Sequence, residues 1–177
     1  MVVLMVQTAH TELRPPDSHH LLAAEGWLEL GNAAEAGNEI DRVDSAHLDH
    51  PDVLEMRWAI CAAGERWEPG LAIAETLLRV APRRASGWLH QAYALRRIKG
   101  GGLQRAWDAL RPAYEKFPKA EIISFNLACY AAQLGRLDDA WEWLHKSMEA
   151  AGDVDVIKKM ALADMDLHPL WDRIRSL

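Results

Sequence analysis

A period of 34 residues runs through this chain and constrains its fold more than any other feature. Pairs of residues three apart, each marking the first turn of an amphipathic helix, occur at Ala33/Ala36, Trp67/Gly70, Leu103/Ala106 and Leu137/Ala140. Their spacings are 34, 36 and 34 residues. A second register, Ala24, Trp58, Ala92 and Ala128, has spacings of 34, 34 and 36. Prolines close the units at Pro51, Pro82 and Pro118. Independent registers sharing one period identify a stack of like units, each too small to bury its own apolar face alone.

Each unit reads as two helices. The pattern predicts helices over 18–30 and 33–47, 52–63 and 67–80, 85–98 and 103–116, then 120–133 and 137–150. Glycine at Gly31, Gly64 and Gly135 supplies the left-handed backbone that ends a first helix. The two extra residues of the third unit are assigned to a lengthened turn at Gly100-Gly101-Gly102. Small residues at Ala36, Gly70, Ala106 and Ala140 allow two antiparallel helices to approach closely. Gly70 weakens its helix by about 1 kcal/mol relative to alanine. Pro69, beside it, is tolerated because it lies in the first turn. Asp17 or Ser18 is the expected cap of the first helix.

The segment from Asn126 through Leu127, Ala128, Cys129, Tyr130, Gly135 and Leu137 to Ala140 resembles a tetratricopeptide repeat. The second unit departs most, with Trp58 where a small residue is usual. The resemblance implies an all-α, right-handed superhelical array of about four helix pairs over 17–150, preceded by an arm at 1–16. Residues 151–177 supply capping helices, and the run Ala161 to Trp171 resembles the closing segment of small bacterial repeat proteins. More weakly, the chain is similar to proteins labelled bacterial kinesin light chain, which implies a tubulin-like filament as a partner.

In such arrays the first helices line a concave groove. Carried over residue by residue, the groove positions are acidic at one end, with Glu25, Glu29, Asp52 and Glu55, and basic and aromatic in the middle. The candidate partner-binding residues are His90, Tyr93, Arg96, Arg97, Phe125 and Asn126. Arginine pairs bidentately with carboxylates and an aromatic floor adds apolar contact, so the expected ligand is an acidic segment of a protein or peptide. Arg97 also reads simply as a cation at a helix C-terminus. Of the carboxylate clamp of chaperone-binding members, only Asn126 matches in type, which argues against that role.

The 177 residues are half apolar, with eight Trp spread along the chain, enough for one continuous core. A net charge of -6 speaks against a general nucleic-acid binder. Cys61 and Cys129 lack CxxC spacing and are expected as buried thiols of a cytoplasmic protein. Catalytic residues, cofactor and metal are expected to be absent. Gly100-Gly101-Gly102 lacks a phosphate-loop context, and His47 and His50 stand before a helix-breaking proline. The reading is a protein–protein adaptor, with a secretion-type chaperone for an unfolded client as the alternative. The apolar residues 1–6 can pack on the first pair, pair with another chain, or touch a membrane surface weakly.

Overall fold

The structure, a computed structural model, describes residues 12–177, so residues 1–6, expected to pack on the first pair, pair with another chain or touch a membrane surface, lie outside the described residues. Among the described residues the chain is a superhelical array of ten α-helices. Four antiparallel pairs come first: α1 (Asp17–Glu29) with α2 (Ala33–Ile40), α3 (Pro51–Ala63) with α4 (Trp67–Val80), α5 (Ala85–Arg97) with α6 (Leu103–Lys116), and α7 (Glu121–Gln133) with α8 (Leu137–Ala151). Then α9 (Val154–Ala163), a 3-10 turn (Met165–Leu170) and α10 (Trp171–Arg175) close the array.

The small residues of the two registers do the packing. Ala24, Ala36, Ala92, Ala106, Ala128 and Ala140 are all fully buried, so each pair closes over short side chains and the larger ones seat beside them. One contiguous core runs from α5 through α10, with Leu110, Leu127, Leu144 and Ile157 at its centre. Leu167, Leu170 and Ile174 of the closing segment join it. A separate cluster of Ala24, Ala36, Ile40, Val43, Val53 and Ile60 holds the first pair to α3.

Three first helices end alike. In the α1–α2 turn the Asn32 amide donates to the Trp27 carbonyl and the Gly31 amide to Leu28. Arg66 and Glu65 repeat this between α3 and α4, and Arg136 and Gly135 between α7 and α8. The turn requires one left-handed residue, and Gly31 and Gly135 supply it at φ 75°. In the second unit it falls on Glu65 (φ 52°), not on Gly64 as the sequence pattern suggested. The third unit uses a longer closure, with the Gly102 amide reaching the Leu95 carbonyl at 2.9 Å.

The first pair differs from expectation. Helix α2 stops at Ile40, not at 47, and a 3-10 turn at Ser45–His47 leads to α3. The cause is Asp17. Its carboxylate accepts the Asp44 amide at 3.0 Å and the His47 Nδ1 lies 2.6 Å from its other oxygen. Asp17 is therefore not a cap for α1, whose start has no side-chain cap; it is a buried brace across the α2–α3 connection. The Asp44 amide and the His47 ring hold its carboxyl below the usual aspartate value.

Candidate functional site: the concave face

First helices α1, α3 and α5 present residues to one common groove of about 360 Å³, lined by Leu21, Glu25, Asp52, Glu55, Met56, Trp58, Ala59 and His90. Trp58, the bulky exception in its register, is partly buried in this wall. Its indole stacks on the His90 ring at 3.7 Å and 9°. The His90 Nε2 lies 2.6 Å from a Glu55 oxygen, and the Ser86 hydroxyl donates to the other. Burial alone would raise the Glu55 carboxyl, but the bonds from His90 and Ser86 outweigh it and hold it below its ordinary value.

Of the six predicted binding residues, three gather on this side. His90 forms part of the groove wall, as above. Tyr93, one helical turn on, is exposed and meets Trp58 edge-on at 5.9 Å and Trp67 at 5.6 Å. The Arg97 guanidinium lies 3.5 Å over the Tyr93 ring and 5.0 Å from Trp67. It donates to the Tyr93 carbonyl of its own helix at 3.1 Å and has no acidic partner among the described residues. The helix-terminal role and the cationic surface role of Arg97 are thus compatible.

Of the other three residues, Arg96 and Phe125 meet the cap, and Asn126 bonds within its own helix. Arg96 makes a two-pronged ion pair with Asp166 of the closing 3-10 turn, with Nη2 to Oδ1 at 2.9 Å. Both side chains are about a quarter exposed, and the pair raises the Arg96 value further. Gln133 of α7 adds a bond to the Asp166 carbonyl at 3.0 Å. Phe125 is buried in the core beneath Met160, Ala163 and Met165. The Asn126 amide donates to the Ile122 carbonyl of its own helix at 2.8 Å. The closing segment therefore covers the α7 end of the groove, and an Arg96 open to an outside carboxylate is corrected to an Arg96 already satisfied in cis. Its partner is 70 residues away, beyond the reach of any local sequence pattern.

The cap also brings Cys129, Asp164 and Asp166 together, with one donor atom of each within 4.8 Å of the others. Periodicity gave no sign of this cluster. Its chemistry is internally closed: the Arg96 guanidinium holds Asp166, and the Cys129 thiol points to Asp164 at 3.6 Å. Burial, with Asp164 and Asp166 nearby, pushes the Cys129 thiol far up, so it keeps its proton and is a poor nucleophile or ligand. Burial raises the neighbouring Tyr130 hydroxyl to about 12. Cys61 is likewise a buried free thiol, raised by burial. The two histidines weighed as metal ligands have other work: His47 braces Asp17, and His50 Nδ1 accepts from the Asp52 amide at 3.2 Å.

Paired helices closing over small residues, stacked so that the first helices of three successive pairs face a common groove, define a tetratricopeptide-type repeat array. Solved structures agree on the fold. The chain is similar to TTC0263, a thermophilic tetratricopeptide protein of Thermus thermophilus, at TM-score 0.66 and 19% identity over 91% of this chain and 100% of that one. It is also similar to MamA (41-end) of Desulfovibrio magneticus RS-1, at 0.65 and 17% over 76% of this chain and 75% of that one. A further MamA structure gives 0.64 and 16%, covering 90% and 86%. No family model matches the chain, and no curated protein matches it.

Proposed function

We propose that this protein is an interaction scaffold that seats a segment of a partner protein on its concave face, between α1, α3 and α5. The observation carrying this reading is the asymmetry of the groove. Its α7 end is covered by the chain's own closing segment, while the α1–α5 end is open and its Trp58 wall continues through Tyr93 to Arg97. An aromatic ring beneath a guanidinium with no acidic partner is suited to meet a carboxylate of a partner segment. An acidic filament surface, including a tubulin-like one, offers such carboxylates, and a cytoplasmic setting suits two buried free thiols. No helix of the described residues is long and apolar enough to cross a membrane.

The test is capture of partners from a lysate of the source cells by wild-type protein and by Arg97→Glu. Arg97 is preferred to Arg96 because reversing Arg96 would disturb the cap. The reading expects one discrete protein, lost with Arg97→Glu. A broad mixture of unfolded clients, unchanged by the substitution, would favour the chaperone alternative.

A further inference from the structure

We propose that the open half of the groove is a docking site for a cationic, apolar protein segment: a lysine or arginine beside one bulky apolar side chain. This rests on the concave-face reading and names the chemistry of what docks at its α1–α3 end, apart from the carboxylate met by Arg97. The groove floor is apolar, formed by Leu21, Met56, Ala59 and Trp58. Its depth is fixed, because the Trp58 indole is held flat by His90 and His90 by Glu55. A preformed wall of this kind costs a ligand little ordering.

The charge around that floor has one sign left over. Asp52 is balanced by Arg84 at 2.6 Å. Glu55 accepts from Ser86 and His90, and a carboxylate has about four acceptor positions, so it retains capacity for another donor. Glu25, exposed on α1 across the groove, has no hydrogen bond or ion pair with any described residue. Glu25 on α1 and Glu55 on α3 thus border the same apolar floor. An apolar side chain on the floor with a cation between Glu25 and Glu55 satisfies both features, whereas an acidic segment would be repelled.

The experiment uses the whole chain and two fluorescein-labelled, terminally blocked peptides read by anisotropy. One carries lysines flanking a leucine–tryptophan pair; its twin carries glutamates in their place. The cationic peptide is expected to bind more tightly than its twin and to weaken with salt. Glu25→Lys, on an exposed helix position, should weaken it by about tenfold or more, and Glu25→Gln by less. Glu75→Lys, an equal charge reversal at an exposed α4 position outside the groove lining, should leave its binding unchanged. Equal binding of the twins, indifference to Glu25→Lys in a chain of unchanged helical content, or no binding by the cationic peptide would each overturn the proposal. Partner capture still lost with Arg97→Glu would then leave the concave-face reading standing, and its absence as well would remove both.

Discussion

Glu65 sits where its two counterparts are glycine, and that one residue illustrates how local backbone demands override composition. A non-glycine residue in the left-handed region costs about 1 kcal/mol, and Glu65 bears it because the Arg66 and Glu65 amides must reach Cys61 and Ala62. Glu65→Gly should therefore stabilise the protein by about 0.5–1 kcal/mol, measured by urea denaturation. Gly101 is the opposite case. A Cβ there would lie 1.9 Å from the Leu95 carbonyl oxygen, backbone that cannot swing aside. Gly101→Ala should cost about 2 kcal/mol or more and loosen the α5–α6 turn. Asp17 adds a pH dependence. Its folded value is depressed, so its contribution is full above the ordinary value of 3.8 and is lost as pH falls through the lower folded value. Asp17→Asn should lower the urea midpoint at neutral pH, and the difference from wild type should shrink towards strongly acidic pH.

At the scale of helices, the sequence is most legible where packing is local. The registers put second-helix starts at residues 33, 67, 103 and 137, which are the first residues of α2, α4, α6 and α8. Small residues at fixed spacing are a direct imprint of helix contact, so this much follows from the period alone. What escapes the pattern is set by side chains meeting across long separations. Asp17 reaches 27 residues ahead to the Asp44 amide and shortens α2. Arg96 reaches 70 residues to Asp166, which turns a predicted ligand site into an anchor for the cap, and the same fold-back buries Phe125. The cap is visible in the sequence as a segment after residue 151, but where it lands is not. The anchor makes its own prediction: Arg96→Asp and Asp166→Arg should each destabilise, and together should recover about 1–2 kcal/mol of coupling. Hydrogen exchange in α9 and α10 is the direct readout, since these helices should lose protection first.

For the whole molecule, an array of stacked pairs has two ends and two faces, and the closing segment treats them unequally. It completes the core at the α7–α8 end with Leu167, Leu170 and Ile174, and in the same stroke covers that part of the groove. The concave face that remains is short, with a rigid aromatic wall and opposed charge character at Glu25 and Arg97. The groove positions read from the sequence already showed an acidic end beside a basic middle. Which cations stay free required the fold, because Arg96 and Arg97 are adjacent in the chain and only Arg96 finds an acid. The central claim is that partners are held by the α1–α5 part of the concave face. The most direct measurement is capture from source-cell lysate with wild type, Arg97→Glu and Glu75→Lys side by side, Glu75 being exposed on α4, which adds nothing to the groove wall. The account predicts one discrete protein retained by wild type and Glu75→Lys and lost by Arg97→Glu; retention by Arg97→Glu with loss in Glu75→Lys would contradict it and place binding on the outer face.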